Sequence, residues 1–317
     1  MPERCRCDPE PSVTTKEASM RNINENTITP AVLASLAGCP DLRLLEVLSA
    51  LVRHMHDFAR EVRLTEAEWM AGIEFLTATG QKCDGKRQEF ILLSDTLGLS
   101  TLNVALNHAK GSQATEATVF GPFHVPGAPE FELGDDISGG AAGEPLFVQA
   151  TVRGPKGEPI ANAKVDVWQA DAEGFYDVQR AELSAAQGRG VLRTDASGRL
   201  WFRGVMPVAY PIPTDGPVGR MLNATARHPW RPAHVHFMIV APGYETLITH
   251  VFSDGDRYLD SDAVFGVRSS LIGDFVRHPP GEAPDGSEQS THFHVLDFDF
   301  VLEPVVQTSR QGDARIV

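Results

Sequence analysis

The stretch PLFVQATVRGPKGEPIANAKVDVWQADAEGFYD, residues 145–177, decides the fold. Its two apolar runs, PLFVQATVRG and AKVDVWQAD, alternate and are rich in β-branched and aromatic residues, which suits half-buried strands. Gly-Pro and Asn-Ala turns separate them, and Asp-Ala-Glu-Gly ends the second. The same texture continues downstream in GVLRTDASGRLWFRGV, HVHFMIVAPG, TLITHVFSDG and FHVLDFDFVLEP. The turn residues in RTDASGRLWF suggest a hairpin. Many short strands with turn signals every eight to twelve residues predict an antiparallel β-sandwich from about residue 113 to residue 317.

Upstream the period changes. In DLRLLEVLSALVRHMHDFAREV the residues Leu44, Leu48, Leu51, Met55, Phe58 and Val62 recur at three- and four-residue steps, the pattern of an amphipathic helix. Thr65 and Glu68 form a capping box that opens a second helix bearing Trp69, Ile73 and Leu76. Further helices are expected over RQEFILLSDTLG and STLNVALNHA. The expected organisation is a flexible tail over residues 1–28, a helical domain over 29–112 and the β-sandwich over 113–317, an α+β chain that is mainly β.

The chain is 317 residues long, enough for a sizeable core. Its 28 basic and 42 acidic residues give a formal charge of −14, which argues against nucleic acid and anionic membrane surfaces as partners. No run reaches transmembrane length, and residues 1–28 lack the apolar stretch of a signal peptide. The four cysteines, Cys5, Cys7, Cys39 and Cys83, form no regular framework, so a reducing, cytoplasmic location is expected. Cys5-x-Cys7 lacks the second ligand pair that a zinc site needs. Neither a P-loop nor a dinucleotide-binding glycine pattern occurs.

His-x-His occurs three times, as His54/His56, His234/His236 and His292/His294. On a helix, two-residue spacing does not bring His54 and His56 together. On a strand it does, so His234 and His236 share a face about 6–7 Å apart. By spacing alone His292 and His294 do the same, and ordinary hydrogen-bonded histidines explain either pair equally well. Tyrosine is a poor metal ligand at neutral pH unless a strongly acidic cation removes its proton. Any site combining tyrosinate with histidine therefore points to ferric iron rather than zinc or magnesium. Tyr176 lies in DAEGFYDVQ and Tyr210 in VMPVAYPIPTDGPVG, and a satisfied half-buried ring is the plain alternative for each.

Four segments in order resemble the intradiol ring-cleaving dioxygenases, non-haem iron enzymes that split catechols between their hydroxylated carbons. They are ATVFGPFHVPGAP, VDVWQADAEGFYD, YPIPTDGPVG and RPAHVHF…APG, within a resemblance covering roughly residues 35–305. The resemblance implies one Fe(III) per subunit held by Tyr176, Tyr210, His234 and His236. Tyr210 would leave the metal to act as a base, and Arg231 would stabilise negative charge developing on the ring. Leu92, Asp95, Val119, Phe120, Gly121, Pro211, Ile212, Pro213 and His250 would line the substrate. His250 stands where the catechol-cleaving members are expected to carry glutamine.

SDTLGLSTL and YLDSDAVFGVRSSL resemble the branch acting on hydroxyquinol more than the branch acting on catechol or chlorocatechol. Asp95 would then accept a hydrogen bond from the third hydroxyl. The partners implied are an aromatic diol or triol, O2, and a second copy of the chain docked through the N-terminal helices, with phospholipid at that interface in relatives. A non-catalytic transthyretin-like sandwich is the competing class, since VRGPKGEPIANAKVDVW has that texture too.

Overall fold

The computed structural model describes residues 21–85, 87–108 and 113–305. The tail read as flexible therefore lies outside the described residues up to Met20, together with Cys5 and Cys7. The described residues fall into two compact units that divide between Glu74 and Phe75.

The first unit contains α1 (Ile28–Ser35), α2 (Leu42–Glu61) and the first half of α3 (Glu66–Gln81). Asp41 caps α2, accepting from the backbone N–H groups of Arg43 and Leu44, both at 2.9 Å. The capping box at α3 is present: Thr65 Oγ1 accepts from Glu68 N at 3.3 Å, and Glu68 Oε2 accepts from Thr65 N at 2.9 Å. His56 bonds Thr29 Oγ1 at 2.9 Å, so it serves to hold α1 against α2. None of the twenty residues of α2 is buried. Its apolar stripe of Leu51, Met55, Phe58 and Val62 is exposed.

The second unit continues with α4 (Glu89–Thr96), α5 (Leu99–Asn107) and α6 (Pro217–Ala224). Its strands are β1 (Pro145–Arg153), β2 (Lys164–Gln169), β3 (Arg189–Arg193), β4 (Arg199–Val205), β5 (Tyr210–Pro211), β6 (Trp230–Arg231), β7 (His234–Val240), β8 (Leu247–Ser253), β9 (Ile272–Gly273), β10 (Phe275–His278), β11 (Gly281–Glu282), β12 (Glu288–Gln289) and β13 (Phe293–Val301). They form a four-stranded sheet, β10-β13-β1-β4, a five-stranded sheet, β3-β2-β7-β8-β9, and two small two-stranded pairs. Leu146, Val148 and Val152 of β1 meet Val165 and Val167 of β2 and Val235, Phe237 and Ile239 of β7 in one continuous core. This is the expected sandwich, filled by alternate residues of facing strands.

Three expectations need correction. The turn at Asp195–Gly198 does not close a hairpin, because β3 pairs with β2 in one sheet and β4 pairs with β1 in the other. The turn chemistry is real, with Asp195 Oδ1 accepting from Ser197 N and Arg199 N at 2.8 Å each. Val152 N–H, however, donates to the Gly198 carbonyl at 2.7 Å, and that tether carries the chain across to the second sheet. Next, the sheets are mixed rather than wholly antiparallel, since β1 pairs with β13 and β8 with β9 in parallel. Finally, β13 begins at Phe293, so His292 shares no strand face with His294.

One property of the five-stranded sheet positions the site. Its inner face fills the core, yet its outer face is buried too. On that outer side lie Asp166 and Trp168 of β2, His234 and His236 of β7, and His250 and Phe252 of β8. The two histidine-bearing strands run in a register that pairs His236 with His250 and His234 with Phe252.

Candidate metal centre

Tyr176 reaches this outer face from the turn after β2. Asp171 builds the turn: its Oδ1 accepts from the N–H groups of Glu173 at 2.9 Å and Phe175 at 3.0 Å. Gly174 adopts φ +86°, and a Cβ there would lie 2.9 Å from Tyr210 Cβ, so both conformation and space demand glycine. Arg189 of β3 then pairs with Asp177 and donates to the Phe123 carbonyl at 3.0 Å. Phe123 in turn stacks on the Tyr176 ring, with centroids 4.5 Å apart. Tyr210 opens the excursion between β4 and β7 and pairs with Arg231 across β5 and β6.

Four polar atoms converge. Tyr176 Oη lies 3.2 Å from Tyr210 Oη, 2.9 Å from His236 Nε2 and 3.5 Å from His234 Nε2, and the two Nε2 atoms are 3.1 Å apart. Ligands bound at about 2 Å to one cation are spaced by about 2.9 Å at right angles and about 3.3 Å at tetrahedral angles. The donor set therefore fits a single metal ion. His234 Nδ1 lies 2.6 Å from the Pro232 carbonyl, so it carries the proton and leaves the Nε2 lone pair facing inward. Trp168 stacks on the His236 ring at 4.6 Å and 17°. Gly121, at φ +76°, comes so close that a Cβ would lie 3.2 Å from His236 Cε1.

Burial sets the charge states. It pushes the Tyr176 phenol well above its ordinary value, helped by Tyr210, and pushes Tyr210 up as well, with Arg231 opposing. Both phenols are neutral until a strongly acidic cation displaces their protons. Burial, seconded by neighbouring cations and imidazoles, drives His234, His236 and His250 well below the usual histidine range. All three are neutral, the form in which imidazole ligates. His250 Nδ1 faces Arg231 Nη2 at 3.4 Å and its ring is 4.0 Å from that of His236. Together, His234, His236 and His250 form the one group of three or more histidine, cysteine or acidic residues among the described residues suited to a metal.

Arg231 is buried on the same side, with Nη1 3.3 Å from His234 Nε2 and 3.5 Å from Tyr210 Oη. Burial alone would weaken its charge, but Asp262 and the two tyrosyl oxygens more than offset this, and the guanidinium stays protonated.

The residues expected to line a substrate are distributed around this centre. Leu92, Val119 and Ile212 pack into one apolar cluster with Val264. Leu92 and Pro213 also border a cavity of about 180 Å³ with Pro122 and Phe123. Asp95 is buried on α4 and senses the charges of both Arg231 and Asp262. Phe120 lies edge-on to Trp168 at 5.8 Å and remains partly exposed. Pro211 is exposed beside Trp230. His294 is remote in function: its Nε2 meets Glu144 Oε2 at 2.8 Å on the other sheet.

Sequence reasoning missed Asp262, Val264, Trp168 and the Asp177–Arg189 pair. Asp262 is one of two aspartates in YLDSDAVFG, and nothing local distinguishes it. Trp168 stood in the strand, but only the register with His236 reveals its contact.

Comparison with known proteins agrees with this geometry. Residues 120–304 match the Dioxygenase family and residues 41–115 match the catechol dioxygenase N terminus. The 6-chlorohydroxyquinol 1,2-dioxygenase of Cupriavidus pinatubonensis is 60% identical over 287 residues, covering 90% of this chain and all of that protein. The solved hydroxyquinol 1,2-dioxygenase of Pseudomonas putida DLL-E4 superimposes with a TM-score of 0.82 at 47% identity, covering 89% of this chain and 99% of the other. The catechol 1,2-dioxygenase of Candida albicans is more distant, 37% identical over 292 residues, covering 89% of this chain and 94% of the other. This chain belongs to the intradiol ring-cleaving dioxygenases.

Proposed function

We propose that the chain cleaves hydroxyquinol with O2 between its ortho hydroxylated carbons, giving 3-hydroxy-cis,cis-muconate and its tautomer maleylacetate. The observation that carries this reading is the convergence of Tyr210 Oη, His234 Nε2 and His236 Nε2 on Tyr176 Oη, each within 3.5 Å of it. Two buried phenols and two neutral imidazoles are a donor set for a hard, trivalent cation, and we assign one Fe(III) per subunit. A bound ferric ion would supply the Lewis acidity that favours ionised phenols and an ionised diol and activates the ring toward O2.

The protein's own groups do the rest. His234 keeps its Nε2 free of protons because Nδ1–H is committed to Pro232. Tyr176 is locked by Phe123, Gly174 and the Asp177–Arg189 pair, and serves as an anchor. Tyr210, one of the residues that would hold the ion, would accept a substrate hydroxyl proton at Oη. Arg231, a cation held without water, stabilises negative charge arriving on the ring. Leu92, Val119, Ile212 and Pro213 grip the ring faces, and Asp95 accepts the third hydroxyl. His250 borders the ring beside Arg231. The names of relatives support hydroxyquinol and a chlorinated hydroxyquinol ahead of catechol.

The helices of residues 29–112 are assigned to homodimer formation, with phospholipid at the interface, and the chain to the cytoplasm. Cys39 and Cys83 are free thiols, as a reducing compartment requires. Among the described residues no single helix is long and apolar enough to cross a membrane.

The test is metal analysis combined with a substrate panel. About one iron per chain, a visible tyrosinate-to-iron band and faster turnover of hydroxyquinol than of catechol are expected. Faster turnover of catechol or a chlorocatechol would assign the chain to those substrates instead. Colourless protein that stays inactive after iron loading would sink the enzyme reading of this site.

A further inference from the structure

Arg231 is only 2% exposed, so something must both neutralise it and aim it. Asp262 lies beside it, with Oδ1 accepting from Nε at 3.1 Å and Oδ2 from Nη2 at 3.4 Å. The carboxylate is itself gripped from behind by backbone. Val264 N–H donates to Oδ1 at 3.3 Å and Gly266 N–H to Oδ2 at 2.9 Å. The segment curls to allow this: Phe265 adopts φ +59°, a strained conformation for an aromatic residue. Gly266 keeps this seat close-packed, since a Cβ would lie 3.1 Å from Arg231 Nη2 and from Asp262 Oδ2 and would press on both. Thr118 Oγ1 donates to the Gly266 carbonyl at 3.1 Å and pins the far end.

With one edge of the guanidinium engaged, Nη1 is the nitrogen left to face Tyr210 Oη and His234 Nε2. A counter-ion alone would not need four contacts on two oxygens or a strained backbone. We propose that Asp262, seated in the Asp262–Gly266 cradle, is a positioning residue that sets the rotation of Arg231 and so presents Nη1 to the ring-cleavage site. This rests on the reading of Arg231 given above.

The test is a double-mutant cycle on the full, iron-loaded chain, comparing Arg231→Ala, Asp262→Asn and the double variant. Iron content, the visible band, KM and kcat for hydroxyquinol, and the melting temperature are measured for each. Neither residue is a ligand, so all three variants are expected to retain iron and the resting band. Asp262→Asn should lower kcat on the order of 10- to 100-fold, short of the roughly 100- to 1000-fold for a donor removed outright, because Arg231 is misaimed and not lost. KM should move less than about threefold, and the double variant should be no slower than Arg231→Ala alone. Gly266→Ala leaves both partners in place while crowding Nη2, and should lower kcat by about three- to tenfold.

Losses that multiply in the double variant would show that Asp262 acts apart from Arg231 and would overturn the proposal. So would an Asp262→Asn variant with a lower melting temperature and unchanged kcat, the mark of a plain counter-ion. If Asp262→Asn does not accumulate as folded protein, unchanged kcat in Gly266→Ala overturns it. Full kcat in Arg231→Ala refutes the role given to Arg231 itself, and the proposal falls with it.

Discussion

Tyr176 and Tyr244 carry the same phenol in opposite settings. Tyr176 is fully buried against Tyr210 Oη and the Nε2 atoms of His234 and His236, whereas Tyr244 donates to Glu158 at 3.2 Å near the surface. Tyr176→Phe should abolish iron retention and the visible band, and Tyr244→Phe should leave both unchanged; metal analysis and absorbance decide it. His294→Ala should likewise keep its iron, since that imidazole serves Glu144. Asp95 poses a different residue-scale question. Burial raises its carboxyl above 3.8, offset in part by Ser100 and Arg231. The folded chain thus binds that proton more tightly than the unfolded one, and stability falls as pH rises through the raised value. Asp95→Asn should raise the melting temperature at neutral pH. It should also lower the preference for hydroxyquinol over catechol by roughly 5- to 150-fold, the worth of about 1–3 kcal/mol for one buried hydroxyl. Unchanged relative kcat/KM would remove Asp95 from the specificity site. The candidate donors were legible in the sequence through the family resemblance, which singles out two tyrosines and two histidines, a combination that points to a hard cation. Asp262 was not, because its meaning depends on Arg231, thirty-one residues away, and on a backbone cradle that leaves no compositional trace.

Among the elements, α4 and α6 hold the loop that carries Tyr210. Glu89 at the start of α4 is buried and accepts from Val218 N at 3.1 Å, in the first turn of α6. Arg87 bridges Glu89 Oε2 at 2.9 Å and Asp215 Oδ1 at 2.6 Å, and Lys82 reaches Asp215 at 2.9 Å. Glu89→Ala leaves the Val218 N–H without its acceptor and Arg87 with Asp215 alone, and should cost about 1–3 kcal/mol, the scale for an unsatisfied buried donor, read by denaturant unfolding. A loss under about 1 kcal/mol would mean the clamp is dispensable. A second tether joins β10 and β13 to the residue before β1. Glu144 accepts from Arg277 Nη2 at 2.7 Å and from His294 Nε2 at 2.8 Å, and these bonds hold its carboxyl down at about 2, against 4.5. The folded value is depressed, so this stabilisation is present above pH 4.5 and is lost as pH falls toward about 2. Glu144→Gln should flatten the fall in melting temperature across that acid window, and an unchanged slope would refute the linkage. Local signals such as the Thr65–Glu68 box appear as the sequence indicates. The Asp195–Gly198 turn misled because a turn specifies reversal, while the partner of the departing strand is chosen by distant β1.

At the scale of the whole molecule, the class of fold was legible from the change of period near residue 113, from three- and four-residue steps to alternation. The parallel pairing of β1 with β13 was not, since the partners lie more than a hundred residues apart and no local pattern records them. The same period leaves α2 as the element with most to explain. Leu51, Met55, Phe58 and Val62 lie on one face and are each about half exposed, from 49% to 55%, and Trp69 and Ile73 of α3 are exposed at 54% and 44%. Each large side chain left half in water forgoes roughly 1 kcal/mol of burial, so a helix this amphipathic is built to be covered. A second copy of the chain, with acyl chains filling what the two copies leave open, is the cover assigned above. A charge at the centre of that face opposes burial far more than it perturbs a helix already in solvent. Phe58→Asp is therefore expected to convert the dimer to monomer in sedimentation or light scattering, with the helical circular dichroism and the iron band retained. Organic extraction of the unaltered protein should yield phospholipid, and extraction of the Phe58→Asp monomer should yield little. A dimer that persists in the Phe58→Asp variant would place the interface elsewhere and leave the α2 stripe without its proposed purpose.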